Sequence, residues 1–219
     1  MAGKLNQVRI GFLERRHPPG HRGALVDQLV PLLREQGARL DVVHSEEGLH
    51  RLNERPAWDV VVLKSGSAAA LHLAAAAESW GIPCVNSSEA TRLAQDKLAN
   101  AAILQQAGLP IAPGRMVWLD PDGSHSTVRA ALDALAGRKL IVKAARGSRG
   151  AGLWVAEPGE LPDLAARIPA GPYLLMDYVA HSGDDLKVFV AGPWQAAIER
   201  PFPARSYEDK LGRPVEARG

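Results

Sequence analysis

Apolar and polar positions follow two rhythms through the first ninety residues. "QVRIGFL" (7–13), "RLDVVH" (39–44) and "WDVVVLK" (58–64) are short runs rich in apolar and β-branched residues. The third is nearly continuous in apolar character, as in strands covered on both faces. Between them, "GALVDQLVPLLREQG" (23–37) spaces Leu25, Leu29, Leu32 and Leu33 at helical intervals and stops at a glycine. "SAAALHLAAAAESWG" (67–81) is a second, alanine-rich helix, followed by the short strand "IPCVN". This alternation predicts a small open parallel sheet with helices on both sides. Such sheets receive ligands at the carboxyl ends of their strands, here the loops near 14–22 and 64–67.

The rhythm changes at "SSEATRLAQDKLANAAILQQAGLP". Ser87 or Ser88 can cap one helix, with Glu89 in its first turn, and a second helix runs from about Asp96 to Gln106. The extended "IAPGRMVWL", a helix over 127–137 and a short helix over 160–168 come next. "YLLMDYV" (173–179), "DLKVFVAG" (185–192) and "WQAAIER" (194–200) read as three consecutive antiparallel strands. The fold class is therefore α/β with an α+β second half: a parallel-sheet domain over 1–90, then a mainly antiparallel domain over 91–219.

Bulk properties narrow the function classes. The chain has 219 residues, 46% hydrophobic and 23% charged, with a net charge of only +2. Nothing in that balance calls for a nucleic-acid or membrane surface. No stretch reaches the roughly 18–20 apolar residues of a membrane span, and "MAGKLNQVRIGF" lacks the apolar core of a signal peptide. The lone Cys84 reads as a packing thiol rather than a nucleophile and suits a reducing compartment, so a cytoplasmic location is expected. In "ERRHPPGHRG" (14–23), Arg15, Arg16, His17 and His21 form either an anion-binding edge or a solvated loop. No third ligand accompanies the two histidines, so no metal site is assigned.

The candidate chemistry lies in "KLIVKAARGSRGAGLWVAE" (139–157), where a glycine-studded basic loop leads from one strand into another. Gly147, Gly150 and Gly152 match neither the Walker pattern nor the dinucleotide fingerprint. Such a loop is either a plain surface hairpin or a flap whose N–H groups close over phosphate oxygens, with Arg146, Arg149 and Lys143 adding charge.

Several stretches in order decide between these readings. "VNSSEATRLAQDKLANAAILQQAGLPIAPGRMV", "LIVKAARGSRGAGLWV", "YLLMDYVAHSGDDLKVFVAG" and "AAIER" together resemble the ATP-grasp superfamily, especially the branch of glutathione synthetases and ribosomal-protein glutamate ligases. The likeness covers residues 85–200, and the preceding region resembles the small domain that usually precedes an ATP-grasp unit.

The resemblance implies that Lys97 and Lys143 bind nucleotide phosphates from two sides, under a flap that includes Gly147, Ser148, Arg149, Gly150 and Gly152. It makes Asp177, Tyr178 and Val179 the interdomain hinge against adenine, and Asp185 the ribose-binding carboxylate. Lys187 and Arg200 would be catalytic cations, Arg200 facing an acyl phosphate.

It also implies ATP and Mg2+ as cofactors, with a small-molecule or peptide carboxylate as substrate and room for a homo-oligomer. Met176-Asp177 departs from the usual Gln/Glu-Glu of the hinge. The family's magnesium ligands lie on later strands, an Asp and then Glu-x-Asn, which the sequence to Gly219 does not contain. The expectation is an ATP-dependent carboxylate–amine ligase, either a piece of a longer protein or a degenerate member. The alternatives are an inositol polyphosphate kinase-like enzyme, with His181 and Lys187 as substrate contacts, and a non-catalytic nucleotide-binding module.

Overall fold

The computed structural model describes residues 7–15, 24–120, 130–131, 134–135, 137–147, 152–201 and 213–215. The chain divides into two compact units, Met1–Met176 and Asp177–Gly219.

The first unit begins with a four-stranded parallel sheet, in the order β2-β1-β3-β4. Its strands are β1 (Arg9–Glu14), β2 (Arg39–His44), β3 (Val60–Leu63) and β4 (Cys84–Val85). Successive residues of a strand face opposite sides, and β1 uses both. Phe12 packs with Val30 of helix α1 (Ala24–Glu35), while Leu13 joins Val61 and Leu63 beneath α2 (Ala68–Ser79). Helix α2 presents Ala70, Leu71, Ala74 and Ala77 to that core, one stripe of a 3.6-residue period. The Ser67 hydroxyl caps the helix by accepting from the Ala70 N–H. Gly11 has a steric reason: a Cβ there would meet the Trp58 ring at 2.5 Å.

Helices α3 (Ser88–Gln95) and α4 (Lys97–Gln106) share one joint residue. Ser87 caps α3, accepting from Ala90 N–H, and Asp96 ends α3 while its carboxylate accepts from Leu98 and Ala99 N–H to start α4.

A second four-stranded sheet follows, in the order β5-β8-β6-β7. It comprises β5 (Gly114–Leu119), β6 (Leu140–Ala144), β7 (Leu153–Ala156) and β8 (Gly171–Asp177), with the short helix α5 (Leu161–Ala165) between β7 and β8. Leu140, Val142, Ala156, Tyr173 and Leu175 point into one core with Leu161 and Leu164 of α5. The helix expected over 127–137 lies largely outside the described residues.

The strands β9 (Asp184–Ala191), β10 (Trp194–Pro201) and β11 (Arg213–Val215) form a separate antiparallel sheet, in the order β11-β10-β9. This corrects one expectation. The strand over 173–179 does not continue into the two that follow. β8 pairs with β5, from Gly114↔Met176 to Leu119↔Gly171. The six residues between Asp177 and Asp184 therefore connect sheets rather than close a hairpin.

Candidate functional site

Strand β6 turns Val142 into the core, and the alternation that does so turns Lys143 to the other face, at the strand's end. Lys143 is half-buried, and its ammonium points at the thioether sulfur of Met176, 3.5 Å away. A thioether is a weak acceptor for a buried cation. Burial, and then the nearby Lys97 charge, push the Lys143 amine below its ordinary pKa.

Lys97 is brought there by backbone bonds. Its N–H donates to Ala145 O at 2.9 Å, just past β6, while Ala145 N–H donates to Pro172 O at the start of β8. Its ammonium reaches the glycine loop, donating to Gly147 O at 3.0 Å. Two residues upstream, Gln95 Nε2 donates to Gly66 O at 2.9 Å, which fastens the same joint to the loop after β3. The "QDK" run thus divides its labour: Gln95 anchors, Asp96 caps, and Lys97 carries charge. Only the lysine was singled out from sequence, although an Asp ahead of an apolar helical run is itself a cap signal.

The glycine loop has the expected strand-to-strand frame, since β6 and β7 pair antiparallel from Leu140↔Ala156 to Lys143↔Leu153. Gly152 has φ +75°, and its C=O accepts from Ala144 N–H at 2.7 Å, closing the stem of the hairpin. Ser148, Arg149 and Gly150 lie outside the described residues, as do Arg16, His17 and His21. A cavity of about 600 Å³ beside the stem is lined by Asp96, Arg146, Gly152, Trp154 and Tyr173, among others. Trp154 and Tyr173 belong to the core face of the sheet, so this cavity is not on Lys143's side.

The boundary between the two compact units falls between Met176 and Asp177, at the residues to which the resemblance assigns the hinge. Tyr178 lies 6.0 Å from the His181 ring, and Val179 is exposed. In the second unit, Asp185 and Arg200 are cross-strand partners and form a two-pronged ion pair, at 2.5 and 2.8 Å. Hydrogen bonding from Arg200 holds the Asp185 carboxyl below its usual range and raises the guanidinium in turn. Lys187 sits 4.5 Å over the Phe189 ring, and His181 Nδ1 accepts from Gly183 N–H. Among the described residues, no group of three or more His, Cys, Asp or Glu side chains is placed to hold a metal ion. Cys84 packs against α2, and burial, aided by the Glu78 charge, raises its thiol pKa to about 12. That keeps it protonated at neutral pH and unsuited to nucleophilic attack.

No protein-family model matches the chain. It is 27% identical over 201 residues to the ribosomal protein bS6–L-glutamate ligase of Escherichia fergusonii, covering 88% of this chain and 64% of that protein. The chain thus spans about 64% of the length of the curated relatives it matches. In three dimensions it is similar to a RimK domain protein ATP-grasp from Sphaerobacter thermophilus, at a TM-score of 0.65 and 19% identity, over 94% of this chain and 79% of that one. It is likewise similar to the D-alanine–D-alanine ligase of Bacillus anthracis, at 0.68 and 16%, over 97% of this chain and 72% of that one. The chain thus has the fold of these ATP-grasp proteins and is similar in sequence to the ribosomal-protein glutamate ligases.

Proposed function

We propose that this protein is an ATP-dependent carboxylate–amine ligase acting through an acyl phosphate. One observation carries the reading: Lys143 is a half-buried ammonium with a thioether for an acceptor, and Lys97 places a second positive charge close to it. Two cations held together at a desolvated strand end raise each other's energy, and a polyphosphate between them would relieve it. A triphosphate is the polyanion that the fold's relatives supply.

In the proposed reaction, a carboxylate oxygen of the acid substrate attacks the γ-phosphorus. The bond to the β,γ-bridging oxygen breaks and ADP leaves. The amine nitrogen then attacks the acyl carbon, the C–O bond to phosphate breaks, and the nitrogen loses a proton to give the amide. Lys97 and Lys143 hold the phosphates and stabilise charge that shifts to the bridging oxygen, while the glycine loop excludes water. Magnesium, when bound, would offset phosphate charge further; the described residues offer no cluster for it. L-Glutamate is the first amine to try, given the names of the matched relatives.

The test is ADP release, followed while the amine is varied with a fixed carboxylate. Amine-dependent ADP formation supports the ligase. Phosphate appearing on a polyol would sink it in favour of a kinase, and nucleotide binding without turnover would leave a binding module.

A further inference from the structure

The cavity of about 600 Å³ beside the stem of the glycine loop takes no part in the proposed reaction. It lies against the core face of the sheet, whereas Lys143 stands on the other face. Its volume falls within the range of about 300–1,000 Å³ usual for small-molecule sites. Ala144, Ala170 and Gly171 line it without putting a bulky side chain into the space. Trp154 and Tyr173 line it with two aromatic rings, whose centroids are 6.0 Å apart and whose planes are inclined at 56°. A ligand ring beside them would gain the tilted contacts that aromatic groups prefer.

The polar side chains of the wall define the rest of the ligand. Tyr173 is engaged, its hydroxyl donating to Pro169 O at 2.7 Å. Asp96 is engaged too: it accepts from Leu98 and Ala99 N–H, where the positive end of α4 offsets its charge. Arg146 differs from both. Among the described residues its guanidinium has no hydrogen-bond or ion-pair partner, and it can only donate. Its planar fork matches a carboxylate through two parallel bonds. In the sequence its charge reads as an addition to a phosphate flap, but the side chain lines this cavity.

We propose that the cavity is a second ligand site and receives an aromatic carboxylate, its ring beside Trp154 and Tyr173 and its carboxylate on Arg146. The sheet separates this ligand from Lys143, so it is not the acid that the proposed reaction would phosphorylate. The site stands whether or not the ligase reading does, because none of its contacts involves nucleotide.

The experiment titrates the full chain, first without nucleotide, with benzoate, 2-naphthoate and indole-3-acetate, each beside its neutral primary amide. Calorimetry gives affinities, and NMR of 15N-labelled tryptophan indoles reports the place of binding. The Trp154 resonance is identified by its loss in Trp154→Phe.

At least one acid should bind about tenfold more tightly than its amide, the share of a charge-assisted hydrogen bond, and should shift the Trp154 resonance. Acetate, which has the charge without the ring, should bind far more weakly. Arg146→Gln should abolish the preference for acid over amide. Arg146 is exposed, so that variant should melt at the temperature of the parent. Saturating ATP should leave the bound acid in place. Equal affinities within every pair, binding by none of the acids, or acetate binding as tightly as they do would each overturn the site. So would an unmoved Trp154 resonance, a preference that survives Arg146→Gln, or complete displacement by ATP.

Discussion

Lys143 and Arg200 are both cations that an anionic substrate could use, and they stand in opposite conditions. Lys143 is half-buried in the first unit against a thioether, with another lysine for company. Arg200, in the second unit, already holds Asp185 with two hydrogen bonds. The apolar residues around them invert the pattern. Leu175 in the first unit is 1% exposed, whereas Val188 and Val190 in the second are 55% and 68% exposed. The first unit is thus satisfied in its packing and unsatisfied in its charge; the second is the reverse. A cation without a counter-charge has everything to gain from phosphate, while one in a two-pronged pair must first lose a carboxylate.

The largest expected effect tests the packing half of this contrast. Leu175→Ala should destabilise the protein by about 2–5 kcal/mol, the usual cost of emptying a closed core site, while Val190→Ala should stay within about 0.5 kcal/mol. Denaturant melts of both variants read this directly, and equal losses would erase the contrast. Next comes the charge half. Lys143→Ala and Lys97→Ala should each weaken ATP binding about tenfold, or roughly 1–2 kcal/mol for a charge-assisted phosphate contact. Calorimetry showing unchanged affinity in both would defeat the nucleotide assignment.

A third measurement follows the Lys143 amine by NMR of labelled lysine. Its folded pKa lies below the unfolded value, so the folded state binds fewer protons as pH rises toward the ordinary lysine range. This group's contribution therefore makes stability increase with pH through that window. Lys97→Ala should move the Lys143 pKa upward by removing a like charge, and ATP should move it upward as well. A downward shift in either case would contradict the electrostatic picture.

The smallest effect concerns the satisfied pair. Asp185→Asn should cost about 1 kcal/mol, typical of a partly exposed ion pair. Since Asp185's folded pKa is depressed, that contribution is present above the ordinary carboxylate pKa and is lost as pH falls through the folded value. Urea melts at neutral and strongly acid pH should show the difference between variant and parent shrinking in acid.

These contrasts were unevenly legible in the amino-acid order. Lys143 could be read because strand alternation and a glycine loop are local signals, and the α3 cap was visible for the same reason, whereas the Ser67 cap of α2 emerges only from the structure. The partition of β8 from β9 was not, because the β5–β8 pairing spans about sixty residues of sequence, and periodicity says nothing about which sheet a strand joins. Glu14 is the plainest failure. It heads a charged run, "ERRH", that reads as surface, and only the parallel pairing with β2 buries it beside His44. The Asp185–Arg200 bond is equally hidden in the amino-acid order, since fifteen residues and a turn separate partners that the antiparallel register sets face to face.

The joint at Gln95, Asp96 and Lys97 carries a consequence for how such a chain can vary in length. Surface loops usually tolerate added residues well. Here three successive side chains face three separate tasks with no spacer between them. One residue inserted after Asp96 would turn Lys97 by about 100° around the α4 axis and advance it by about 1.5 Å. The insertion would part the charge from the glycine loop even if both helices survived. In a collection of length variants, this tripeptide should be among the positions where gaps are absent, although it lies between helices.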